Sequence, residues 1–183
     1  MADKSQLAFA VWVTGLPASG KSTLAQALKT QLAEQGVAAA ELESDVLRRV
    51  LSDHPRYDQE GRDRFYRLMT YIGVLLTQHG VSVIFDATAN RREYRNRARQ
   101  QIPRFLEVYV SCPLEVCMRR DPKSLYKQAR EGAAENVPGL QAEYEPPVAP
   151  DLIVQGDRDD PAGAARGVIA KLAERNYLPL TRE

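Results

Sequence analysis

Gly15-Leu16-Pro17-Ala18-Ser19-Gly20-Lys21-Ser22, followed by Thr23, decides the reading of this chain. The pattern is G-x-x-x-x-G-K-S, a phosphate-binding loop. Phe9-Ala10-Val11-Trp12-Val13 before it is an apolar, β-prone run, and Leu24 to Lys29 after it has helical periodicity. A strand that turns sharply into a helix aims several main-chain N–H groups and the positive end of a helix dipole into one concavity. A polyphosphate fits there because its donors are fixed before it arrives. The stretch from Gly15 to Thr23 is therefore expected to hold ATP. Lys21 is expected to reach the β- and γ-phosphates as part of the catalytic apparatus, and the Ser22 hydroxyl to join a Mg²⁺ shell.

Outward from the loop, strand-like runs alternate with helical ones. Gly36 ends the first helix, and Val37 to Leu42 reads as a second strand. Arg62 to His79 is a long helical pattern, with Phe65, Leu68, Met69, Ile72, Leu75 and Leu76 on one side and Gly80 closing it. Val81 to Phe85, Phe105 to Val110 and Leu152 to Val154 are further strands, and Pro161 opens a last helix to about Glu174. This alternation predicts an α/β P-loop fold: a parallel five-stranded sheet with helices on both faces. Residues 1–183 are expected to form one domain, with the charged, proline-bearing segment at about 119–150 as a lid. Ligands in such sheets bind beyond the carboxyl ends of the strands.

Lys and Arg number 25 against 24 acidic residues, so no overall charge points to nucleic acid or a membrane surface. No apolar run approaches a bilayer span. No signal peptide fits the amino terminus, and Cys112 and Cys117 have neither metal-ligand nor disulfide spacing. They read as buried small hydrophobes, and the expected setting is cytoplasmic.

Phosphoryl transfer to an alcohol needs a group to take the hydroxyl proton. After the second strand come Glu43-Ser44-Asp45-Val46-Leu47-Arg48. Both acids can face the loop's mouth. Asp45 is the candidate base or Mg²⁺ organiser, although Ser44 or Asp45 could also cap a helix. Arg48, one turn on, would hold an anionic acceptor. Asp86, ending the third strand, is a second metal-side candidate. Arg92, Arg95 and Arg99 share a helix face; a solvated charge face explains them, but Arg92 begins beside the site and could hold phosphate or sulfate.

Arg120-Asp121-Pro122-Lys123-Ser124-Leu125-Tyr126-Lys127, with Tyr144-Glu145-Pro146-Pro147 and Pro150, resembles the R-D-P-K-x-L-Y-K and Y-E-P-P-x-x-P runs of adenylylsulfate (APS) kinases. Val13-Thr14-Gly15-Leu16 and Pro113-Leu114-Glu115-Val116-Cys117 are similar too, so the likeness runs from about Val11 to Val154. It implies transfer of the ATP γ-phosphate to the ribose 3′-hydroxyl of APS with Mg²⁺, a step of sulfate assimilation. It also implies a nucleotide-facing Arg120 and Lys123 in the lid and a homodimer. Glu43, Arg48, Tyr57, Arg62, Arg67, Arg92, Lys127 and Val137 form the expected acceptor set.

The chain departs from the family on the acceptor side. The family's D-G-D-N-V-R is Glu43 to Arg48 here, and its E-N-I-R-R is Arg64-Phe65-Tyr66-Arg67-Leu68. Its S-P-Y-R is Ala89-Asn90-Arg91-Arg92, and the aromatic of G-F-T-G is Val137. Asp86 to Arg91 resembles the D-A-T-N-x-x-R segment of small-molecule and polynucleotide kinases. Two other readings therefore stand beside APS: a different anionic nucleotide-linked or sugar hydroxyl, and a nucleotide-binding module without catalysis.

Overall fold

The computed structural model describes residues 8–178. Its elements are β1 (Ala10–Thr14), α1 (Lys21–Glu34), β2 (Ala39–Glu43), α2 (Ser44–Leu51), α3 (Gln59–Gln78) and β3 (Ser82–Asp86). They continue through α4 (Arg92–Gln101), β4 (Phe105–Ser111), α5 (Leu114–Arg120), α6 (Leu125–Arg130), β5 (Leu152–Gln155) and α7 (Pro161–Glu174). All five strands are parallel in the order β2-β3-β1-β4-β5. The expected α/β fold is thus present, with strand limits shifted by a residue or two. Among the described residues no helix is long and apolar enough to cross a membrane.

Alternation along β1 sorts the core into two layers. Phe9, Val11 and Val13 join Leu24, Leu28 and Leu32 of α1 and Val168 and Leu172 of α7 on one face. Ala10 and Trp12 point to the other, where they meet Phe65, Tyr66 and Met69 of α3 and Tyr94 and Ala98 of α4. Period-two alternation in a sheet covered on both sides makes every residue of β1 buried. Trp12 stacks on Phe85 with ring centres 4.5 Å apart, and its indole N–H donates to Ala87 O at 3.2 Å.

α3 starts earlier than expected, because the Asp58 side chain caps it by accepting from Gly61 N–H at 2.8 Å. Its end is as expected: Gly80 lies at φ +79° with Val81 N–H on Leu76 O at 3.0 Å. The buried stripe differs. Leu68 and Leu75 are exposed, while Tyr66, Thr70, Gly73, Val74 and Thr77 face the sheet. The Phe85 ring lies where a Cβ on Gly73 would stand, so the helix sits low on β3 and small residues form its contact.

A third cluster joins the segment expected as a lid to the chain just before it and to the phosphate loop. Cys112, Cys117, Tyr126, Ala129 and Val137 are buried together, with Leu16 of the phosphate loop packed against them. Both cysteines are free and buried, and burial first, then the Cys112 neighbour, pushes the Cys117 thiol up to about 12.

Candidate active site

Strand register sets the site. Glu43 pairs with Asp86 and Asp86 with Val13, so the carboxyl ends of β2, β3 and β1 finish level, at the entrance to the phosphate loop. Gly15 must be glycine: at φ +155°, a Cβ there would stand 2.5 Å from Val110 O. Gly20, at φ +106°, begins α1 with no side-chain cap, which leaves the first N–H groups of the helix for a ligand. Lys21 is buried, and its Nζ donates to Leu16 O at 2.8 Å, folded back over the loop. Burial pushes its pKa down, and Asp86 and Asp45 oppose that. Tyr126 Oη donates to Pro17 O at 3.0 Å and Arg120 Nη1 to Gly156 O at 2.8 Å, tying the 120–126 segment to both edges of the loop.

Asp86 is 2 % exposed, and its Oδ2 has no hydrogen-bond partner. Burial raises its pKa, with Lys21 and then the Ser22 hydroxyl pulling the other way. An unsatisfied buried carboxylate oxygen beside a hydroxyl fits a divalent cation. Among the described residues no group of three or more His, Cys, Asp or Glu could hold a metal. A cation here would therefore rely on phosphate oxygens and water, which suits Mg²⁺.

Asp45 lies in the first turn of α2. Neither it nor Ser44 caps that helix: Glu43 is at the N-cap position and makes no side-chain cap bond. Asp45 Oδ2 instead accepts from Lys123 Nζ at 2.6 Å, with Glu43 Oε1 3.9 Å from the same ammonium. Lys123, expected to face the nucleotide, is thus brought to the candidate base.

The acceptor-side residues divide. Arg48 is buried, its guanidinium 3.7 Å from the Phe65 ring centre, 4.9 Å from Tyr57 and 5.6 Å from Tyr66. Its Nη1 donates to Arg56 O at 3.2 Å. Arg62 is buried too: Nε donates to Tyr57 O and Nη1 to Asn90 Oδ1, both at 2.8 Å, and Nη2 to Asn136 O. Among the described residues neither arginine has a carboxylate within 4.0 Å. Burial pushes the Arg62 pKa down; Tyr66 opposes this and Arg48 adds to it, so the two cations feel each other.

The other expected residues have partners of their own. Arg67 pairs with Asp63 at 2.7 Å and lines a separate groove with Arg91 and Arg97. Arg92 is exposed; its N–H donates to Glu145 Oε2 and its Nε to Pro146 O, each at 2.8 Å. Lys127 is exposed, its N–H on Asp121 Oδ2 at 3.0 Å. Val137 is buried in the third cluster. The reading of Arg95 and Arg99 as a solvated face is overturned. Arg95 is 1 % exposed and pairs with Glu107 at 2.6 Å, and Arg99 reaches Glu107 and Asp151 at 3.1 and 3.2 Å. A lone acid inside the apolar run Phe105 to Val110 was the available signal, because such an acid requires a buried cation.

Comparison with known proteins places these features in context. A family model described as adenylylsulphate kinase matches residues 7–155. An adenylyl-sulfate kinase of Halothermothrix orenii is 37% identical over 180 residues, covering 98% of this chain and 97% of that protein. A probable adenylyl-sulfate kinase of Pyrococcus abyssi is 38% identical over 171 residues, covering 93% and 98%. The Mycobacterium tuberculosis APS kinase, solved with AMPPNP and APS, superposes with a TM-score of 0.85 at 34% identity, covering 91% of this chain and 98% of that one.

Proposed function

The chain belongs to the adenylylsulphate kinase family, and we propose that this ATP-dependent kinase transfers the γ-phosphate of ATP to the ribose 3′-hydroxyl of APS, giving 3′-phosphoadenylylsulfate and ADP. The observation that carries the acceptor's chemistry is the Arg48–Arg62 pair. Among the described residues these two buried guanidinium groups have no carboxylate within 4.0 Å, which leaves a positive site open to an anion. A phosphosulfate anion would supply the missing charge, with Phe65 and Tyr57 holding the Arg48 guanidinium by their rings while its N–H groups meet the anion.

In this reading the main-chain amides of Gly15 to Thr23 hold the ATP phosphates, and Lys21 leaves Leu16 O to reach the transferring group. Ser22 and Asp86 would hold Mg²⁺, which when bound would neutralise charge on the β- and γ-phosphates, and Asp45 is kept for the proton. Asp45 accepts the acceptor hydroxyl's proton once Lys123 releases it. Lys123 and Arg120 then close over the nucleotide and exclude water. Homodimer formation belongs to the same reading and is tested by light scattering.

An ADP-release assay over APS, other nucleotides and phosphosugars tests the acceptor. Turnover with APS is expected. Turnover with a sugar or another nucleotide, and none with APS, would move the chain to the second reading, which Phe65, Ala89 and the burial of Val137 favour. ATP binding without turnover on any acceptor would leave a binding module.

A further inference from the structure

Ala89 has no polar side chain, yet its main chain is gripped on both sides. It is fully buried at φ +41°, a left-handed conformation that alanine rarely adopts. Its N–H donates to the Tyr66 hydroxyl at 2.9 Å, and its carbonyl accepts from Arg95 Nη1. The residue that this turn presents is Asn90, whose Oδ1 accepts from Arg62 Nη1 at 2.8 Å. Asn90 also holds the far end of the lid segment: its Nδ2 donates to Glu143 O at 2.9 Å, and its carbonyl accepts from Glu145 N–H at 2.8 Å. Arg95 reaches the same place, with Nη2 donating to Glu145 O at 2.7 Å.

A buried ion pair such as Arg95–Glu107 is a weak source of stability, since apolar residues of like volume often do as well. What an arginine adds is a planar fork. Glu107 takes Nε, and the two remaining directions go to carbonyls of two different segments. A lysine in its place could satisfy Glu107 but could not span all three. The turn is held left-handed from outside because an alanine will not hold it alone.

We propose that Arg95 is a positioning residue for the acceptor: with Tyr66 it clamps the Ala89 turn, and the turn orients Arg62 through Asn90. The proposal rests on the reading of Arg48 and Arg62 as the acceptor's anion site. The phosphate loop meets this network at Thr14, whose hydroxyl donates to Thr88 O at 2.7 Å, one residue before the clamp. The loop residues 15–23 themselves bond to one another and to Tyr126, not to Arg95, Tyr66 or Asn90, so ATP binding depends on the clamp less than acceptor binding does.

The test compares wild type, Arg95→Lys and Tyr66→Phe by calorimetry with AMPPNP and with APS. Hydrogen exchange on the ligand-free proteins is measured alongside. For Arg95→Lys, APS affinity is expected to fall by roughly tenfold or more while AMPPNP affinity changes by less than about threefold, as for loss of hydrogen bonds from a charged group. Tyr66→Phe should show the same split with a smaller loss, and it carries the test if Arg95→Lys does not fold. Exchange should accelerate at residues 87–92 and 143–146 and not in α1. Parallel loss of both affinities, or an unchanged APS affinity, would overturn the clamp. Should wild type not bind APS, the functional reading fails while exchange still decides the clamp. Acceleration confined to those two segments upholds it, and uniform or absent acceleration overturns it.

Discussion

The nucleotide side and the acceptor side of this site are built from different materials. The first is made of main chain: Gly15 against Val110 O, Gly20 opening α1, and one lysine resting on Leu16 O. The second is made of side chains held by distant partners. Arg62 is fixed by Asn90 and Asn136, and Arg48 by rings from two other stretches of chain. A cradle of amides serves any polyphosphate and is set by a local run of sequence. A cage of side chains is set by tertiary contacts, so it can change acceptor preference while the cradle stays as it is.

The largest expected effect lies in the cradle. Lys21→Ala should lower turnover by at least roughly 10³-fold, in line with loss of a charge aimed at a transferring phosphoryl group. An unchanged rate would remove the phosphate loop from the chemistry and with it the contrast. Asp45→Asn comes next. Its kcat should drop by about 10²-fold or more, the scale of a lost general base. Full kcat in that variant would leave Asp45 as no more than the partner of Lys123.

Arg48→Ala sharpens the comparison most. The KM for the acceptor should rise roughly 10- to 100-fold, and that for ATP by less than about twofold, because the missing cation belongs to the cage alone. Equal rises in both would mean that the two sides are one unit.

Asp86 stands between the two and yields a stability prediction. Its folded-state pKa lies above the ordinary 3.8 because of burial. The native state therefore binds that proton more tightly than the unfolded chain. Stability from this group is present at low pH and is lost as pH rises through the folded pKa. Without ligand, Asp86→Asn should then melt higher than wild type near neutral pH, with the gap closing on acidification. The same variant should lose the Mg²⁺-dependent part of the stabilisation by ATP. A lower ligand-free melting point at neutral pH would contradict this account of Asp86. The smallest effect is at Lys123–Asp45, whose side chains are 61% and 48% exposed. Lys123→Met should change unfolding free energy by less than about 1 kcal/mol in a urea titration.

The same contrast explains what could be read from the sequence. The phosphate loop, the strand alternation and the close of α3 at Gly80 are local signals, and each is where expected. The placing of Asp45 and Arg48 just beyond β2 is likewise local, since a strand end followed by one helical turn fixes it. Leu68 and Leu75 were misassigned because periodicity counts apolar residues, whereas the Phe85 ring seated on Gly73 decides which face of α3 lies down. Arg95 was misread because its partner, Glu107, is on a later strand, and only the sheet's register brings that acid under α4. Val137, expected in the acceptor set, fills the small core beside Leu16, a contact that only the fold brings about.

A structure of the ternary complex with AMPPNP and APS tests the central claim most directly. The account predicts the triphosphate on the amides of Gly15 to Thr23, the phosphosulfate against Arg48 and Arg62, and the ribose 3′-hydroxyl facing Asp45. APS bound away from the two arginines, with no anion beside either, would contradict it.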